Sequence, residues 1–116
     1  MDFKNAKELL DFCQKLNCPI SDIMKQRECT LAETSLEDIY AKMDHALSIM
    51  RESASSPIQE PKKSIGGLIG GEARLADLHR ARGAAICGSV LSRAITYSMA
   101  VLETNTSMGL IVAAPT

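Results

Sequence analysis

Gly83-Ala84-Ala85-Ile86-Cys87-Gly88-Ser89-Val90-Leu91-Ser92-Arg93-Ala94-Ile95-Thr96-Tyr97-Ser98-Met99-Ala100-Val101-Leu102 is nearly apolar on every side. A run of about 20 such residues is long enough to cross a bilayer. Arg93 lies at its centre, however, and Ser89, Ser92, Thr96 and Ser98 add hydroxyls along it. A central arginine costs about 2.5–3.5 kcal/mol on insertion scales. The expectation is therefore a long helix buried inside a bundle, not a membrane span. Gly83, Ala84 and Gly88 would let neighbouring helices approach closely.

Working back toward the N-terminus, the same 3.6-residue rhythm recurs. Phe3, Ala6, Leu9, Leu10, Cys13 and Leu16 share one helical face, and Pro19 ends that helix near Asn17 by biasing Cys18 toward extended backbone. A short second helix follows, with Ser21 as N-cap and Ile23 and Met24 facing inward. Ser35-Leu36-Glu37-Asp38 resembles a capping box with Asp at its last position. From there Leu36, Ile39, Tyr40, Met43, Ala46, Leu47 and Met50 form one apolar stripe, suited to packing on a neighbouring helix. Ser53 to Ser64 concentrates serine, charge and two prolines, and reads as a linker. The predicted organisation is acidic N-terminal helices over 1–52, a Pro/Ser linker over 53–64, and a third part over 65–116. That last part holds a Gly-rich loop, the buried helix and the start of an active-site loop. The fold class is all-α, a helical bundle fragment with a long buried helix near the C-terminus.

Charge is uneven along the chain. The net charge of −1 is the sum of −4 over residues 1–60 and +3 over 61–116. Such polarity can help halves dock or steer an anion, although two solvated faces of different sign account for it more simply. Aromatic residues are limited to Phe3, Phe12, Tyr40 and Tyr97, which argues against a platform that stacks single-stranded bases. Asp2, Lys4 and Lys7 interrupt any apolar leader at the start, so the expected location is cytoplasmic. The cysteines, Cys13, Cys18, Cys29 and Cys87, then read as reduced thiols, and their spacing matches no zinc or ferredoxin pattern.

Few residues carry legible chemistry. His45 and His79 have no second ligand at metal-binding spacing, and no Ser-His-Asp or Cys-His arrangement appears. His79, Arg80 and Arg82 could hold a phosphate, yet cations near a helix C-terminus answer the dipole equally well. Gly66-Gly67-Leu68-Ile69-Gly70-Gly71 precedes a helix-forming segment. A helix start of this kind can cradle an anion, though the Lys-Ser/Thr ending of a Walker loop is missing. Glu103-Thr104-Asn105-Thr106-Ser107 places hydrogen-bonding groups at the mouth of the long helix. Asn105 and Ser107 could orient a small polar substrate or simply cap the backbone.

Three segments resemble the alpha chain of the iron–sulfur-dependent L-serine dehydratases. They are Ser64-Ile65-Gly66-Gly67-Leu68-Ile69-Gly70-Gly71-Glu72-Ala73, the run Ala94 to Glu103, and above all Thr104-Asn105-Thr106-Ser107-Met108-Gly109-Leu110-Ile111-Val112-Ala113-Ala114-Pro115-Thr116. The resemblance implies conversion of L-serine to pyruvate and ammonia, with a 4Fe-4S cluster acting as Lewis acid on the serine hydroxyl. It also implies a separate beta chain as partner, and Asn105, Ser107, Gly66 and Gly67 as substrate-binding candidates. The family's cluster cysteines are expected beyond Thr116, so this chain alone should be inactive and should hold no cluster. No membrane or nucleic-acid partner is expected, and a homo-oligomer is possible. The alternatives are a helical binding or oligomerisation module, or a helix-turn-helix. The acidic first half and the lack of a basic face on the third helix count against the last.

Overall fold

The computed structural model describes residues 2–112. They form α1 (Ala6–Leu16), α2 (Ile20–Leu31), α3 (Leu36–Gln59), α4 (Glu72–Ala81) and α5 (Gly88–Thr106), with no strand among the described residues. The all-α class holds. Two compact units divide the chain, Met1–His45 and Ala46–Thr116, with α3 beginning in one and ending in the other.

In the first unit, α1 pairs with α2. The N-cap of α1 is Asn5, whose Oδ1 accepts the Glu8 N–H at 3.0 Å, while Glu8 Oε2 accepts the Lys4 N–H at 2.8 Å. At the other end Asn17 takes a left-handed conformation (φ 48°), the Asn17 N–H donates to Gln14 O and the Cys18 N–H to Cys13 O. This is a Schellman motif, which satisfies carbonyls the helix leaves open. The second helix starts earlier than expected: Pro19, not Ser21, is its N-cap. Proline needs no N–H at a helix start, so its fixed φ favours the position. Ile23 is fully buried, whereas Met24 is exposed. Lys25 Nζ donates to Asp22 Oδ1 at 2.9 Å and to Tyr40 Oη at 3.0 Å. The Tyr40 and then the Asp22 hydrogen bonds hold its ammonium above the usual lysine range.

The capping box at α3 forms as the sequence indicates. Asp38 N–H donates to Ser35 Oγ at 3.1 Å, and Asp38 Oδ2 accepts from Ser35 Oγ at 2.6 Å, from Thr34 Oγ1 at 3.0 Å and from the Ser35 N–H at 3.3 Å. The Ser35 and Thr34 hydroxyls, then the Ser35 amide, lower the Asp38 carboxyl below its ordinary value. The stripe beyond the box, however, is largely uncovered among the described residues, with only Ile39 and Ala46 half-buried. Leu36, Tyr40 and Met43 are exposed in the first unit, and Leu47 and Met50 in the second.

The linker expectation is corrected in the second unit. Helix α3 continues through Ser53 and Pro57 to Gln59. The proline does not break it because the carbonyl it strands, Ser53 O four residues earlier, accepts the Thr104 hydroxyl at 3.0 Å. Only residues 60–64 of the expected linker are non-helical, and the boundary between units falls at His45/Ala46 instead.

Helix α5 also departs from expectation. It starts at Gly88 and runs through Thr106. It packs on α4, and the residues it buries are Ser92, Thr96, Ala100, Glu103 and Thr104. Those residues recur at helical spacing and are small or polar. Ser92 and Thr96 hydroxyls return to Ser89 O and Ser92 O at 3.2 and 2.9 Å, which satisfies them within the helix. Val90, Leu91, Ile95, Tyr97 and Leu102 are exposed. The long helix is thus buried along one stripe, not all round.

Candidate functional site

The segments singled out in the sequence meet at the C-terminal end of α5. Glu103, with no exposed surface, reaches from α5 to the start of α4. Its Oε1 accepts the Gly71 N–H at 3.1 Å and the Ala73 N–H at 2.8 Å. A carboxylate here answers both the open amides and the positive end of the helix dipole. The anion cradle expected at the Gly-rich loop therefore exists at the start of α4, but the chain fills it with its own side chain. Glu103 Oε2 is buried with no hydrogen-bond partner among the described residues.

Thr104, the next residue, ties three elements. Its hydroxyl donates to Ser53 O at 3.0 Å and lies 3.1 Å from Ala100 O; its carbonyl accepts the Gly109 N–H at 2.8 Å. Gly109 is obligatory for that approach: a Cβ there would lie 2.7 Å from Thr104 Cγ2 and 2.9 Å from Thr104 O. Beside Thr104 lies a cleft of ≈ 100 Å³ lined by Ile49, Glu52, Ser53, Lys62, Thr104 and Leu110.

The Gly-rich loop is organised by Ser64. Its N–H donates to Ile69 O at 2.8 Å, and its Oγ accepts the Leu68 and Ile69 amides at 3.1 and 3.2 Å. Gly67 turns the loop with φ 70°, a conformation that costs other residues strain. Gly66 and Gly67 sit exposed at its tip, and a Cβ on either would meet nothing. Gly70 is the tightly packed glycine, its missing Cβ lying 3.0 Å from Lys62 O. A backbone bond, Ile65 N–H to Thr106 O at 3.3 Å, adds to the Gly71–Glu103 bond in fastening this loop to the end of α5. That end carries the other two candidates. Asn105 is exposed, within the last turn of α5 and not in a loop, with no side-chain hydrogen bond among the described residues. Ser107 is the C-cap, its hydroxyl donating to Thr104 O at 3.0 Å. The stretch Ala113–Thr116 lies outside the described residues.

His79 and Arg80 stand together in the last turn of α4. Arg80 pairs with Asp77 one turn earlier on α4, which occupies the cation offered to a phosphate. His79 is exposed on α4.

Residues 15–116 match the family described as Serine dehydratase alpha chain. The chain belongs to that family. It is 36% identical over 114 residues to the probable L-serine dehydratase alpha chain of Bacillus subtilis (strain 168), covering 98% of this chain and 38% of that protein. It is 31% identical over 111 residues to the L-serine dehydratase alpha chain of Peptoniphilus asaccharolyticus, covering 96% of this chain and 38% of that one. This serine dehydratase alpha-chain sequence therefore spans well under half the length of the curated relatives it matches. No solved structure matches it.

Within this alpha-chain region, the sequence pattern puts Glu103 and Thr104 in a loop at the mouth of the long helix. In the structure they are buried and hold the loop and helices together. The signal that could have found them is their spacing from Ser92, Thr96 and Ala100, which continues the small-residue stripe of α5.

Proposed function

We propose that this chain forms the N-terminal part of an L-serine dehydratase alpha chain. The parent enzyme eliminates water from L-serine, and the resulting aminoacrylate becomes an imine that hydrolyses to pyruvate and ammonia. The observation that carries the reading is the family match over residues 15–116, taken with the junction of the Gly-rich loop and the end of α5. That junction sets Gly66, Gly67, Asn105 and Ser107 on two fastened segments. Gly66 and Gly67 leave room for a ligand to approach backbone, and the Asn105 amide is uncommitted and can donate or accept. Ser107 and the buried Glu103 act as positioning residues. A beta chain is the partner this family reading supplies.

The family reading also brings a 4Fe-4S cluster, whose free iron site would polarise the serine hydroxyl. The thiols here do not fit one. Cys13, Cys18 and Cys29 are half-buried in the first unit, Cys87 is exposed at the start of α5, and no group of three or more His, Cys, Asp or Glu among the described residues is placed to hold a metal. No step of the reaction is routed through these cysteines. No described helix is long and apolar enough to cross a membrane.

The test uses a complete alpha chain assembled with its beta partner. Asn105→Ala lowers kcat/KM for L-serine by about tenfold, the loss of one well-made neutral hydrogen bond, with thermal stability retained. A kcat/KM within twofold of the parent, measured by pyruvate release, overturns the pocket assignment.

A further inference from the structure

The end of α1 holds two thiols in a fixed frame. In the Schellman motif Cys13 lies three residues before the last residue of α1, Leu16, and Cys18 two residues beyond it; the Cys18 N–H donates to Cys13 O at 3.2 Å. Side chains at these two positions characteristically touch. The frame is stiff on both sides: Cys13 is helical, Asn17 is held left-handed, and Cys18 precedes Pro19, whose ring restricts it to extended backbone. Both thiols are half-buried, so they are shielded but reachable. A disulfide requires Cα atoms about 4.4–6.8 Å apart, a separation that a backbone bond closing residue six onto residue one supports.

We propose that Cys13 and Cys18 are a redox modification site, closing to an intramolecular disulfide on exposure to a low-molecular-weight disulfide. Cys13 thiolate attacks one sulfur of glutathione disulfide, releases one glutathione thiolate and becomes a mixed disulfide. Cys18 thiolate then attacks the Cys13 sulfur and releases the second glutathione. The two protein thiols give up two protons and two electrons, and the oxidant leaves as two glutathione thiols. Partial burial first, then the neighbouring Cys13 and Asp22, hold the Cys18 thiol above its ordinary value. The ring-closing step is accordingly slow at neutral pH, on the scale of minutes to hours. Cys29 and Cys87 have no such backbone bridge to either thiol.

The experiment takes the reduced chain, removes the reductant and adds glutathione disulfide at neutral pH. Free thiols are then alkylated, and the protein is cleaved after lysine and arginine. Cleavage after Lys15 separates Cys13 from Cys18, so the closed form yields two peptides joined by a disulfide, together about 2 Da lighter than the reduced pair. Cys13→Ser and Cys18→Ser each lose the joined species and stop at a glutathione adduct on the remaining thiol. The proposal is overturned if the unsubstituted chain keeps both thiols alkylatable, carries separate adducts on each, or joins Cys18 to Cys29 instead.

Discussion

Glu103 shows what one residue contributes to this architecture. A buried carboxylate is tolerated only where hydrogen bonds or charges compensate its lost hydration. Here two backbone amides at the start of α4 do so through Oε1, at 3.1 and 2.8 Å, and leave Oε2 unpartnered. Glu103→Ala removes the acceptor from the buried Ala73 amide and the half-buried Gly71 amide, at a cost of about 2–4 kcal/mol, combining a lost charged hydrogen bond with a lost cap. Glu103→Gln keeps one oxygen for the amides but puts an NH₂ where Oε2 has no neighbour to receive it, so it destabilises too, by less than alanine. Urea unfolding of the three proteins checks the order. Equal stability of the alanine variant and the parent would remove Glu103 from its capping role. Asn105 illustrates the opposite case: two residues further on, exposed and uncommitted, it can be lost without structural penalty.

At the scale of elements, the junction of α3 with α5 rests on a substitution of hydrogen bonds. Pro57 withholds the N–H that Ser53 O would otherwise accept, and the Thr104 hydroxyl replaces it. Thr104→Val leaves that carbonyl buried and unpaired, costing about 1–3 kcal/mol. Pro57→Ala gives up a buried ring but restores an N–H to the helix, which then serves Ser53 O directly. The two changes are therefore coupled: valine at 104 costs about 1 kcal/mol less when alanine is at 57. A double-mutant cycle by denaturant unfolding reads this directly, and simple additivity would show that Thr104 does not act through Ser53. This junction also marks where the sequence stops being legible. The capping box at Ser35 and Asp38 is local chemistry, and it forms as its residues indicate. The helix through Pro57 depends on a partner 51 residues away, which no local signal announces. Polar residues 103–107 read as a loop because helix interiors are usually marked by apolar spacing. In α5 the interior stripe is itself Ser, Thr and Glu around the single alanine Ala100, so the marker is inverted. The same inversion hid Glu103 and Thr104, whereas the candidates Gly66, Gly67, Asn105 and Ser107 stand out by residue type alone.

The whole chain combines a 46% hydrophobic composition with very little apolar burial. Among the described residues the buried hydrophobics are Ile23, Ala73 and Ala100, while Ile86, Leu68, Val90 and Ile65 are each at least 80% exposed. On α5, Leu91, Ile95 and Leu102 recur at helical spacing on a face that the polar stripe does not use. Contiguous apolar surface of this kind is costly in water and drives association. The 116-residue chain on its own therefore self-associates as its concentration rises and binds an apolar fluorescent dye. Because Leu91 and Ile95 are exposed, replacing both by glutamate changes the folding stability of the chain by no more than about 0.5 kcal/mol each. The same pair of changes shifts the sedimentation profile toward monomer and reduces dye binding, since the charges sit on the associating face. If the double variant unfolds at markedly lower urea, those side chains belong to a core instead. If it sediments like the parent, association runs through another surface and the α5 face is not the driving patch.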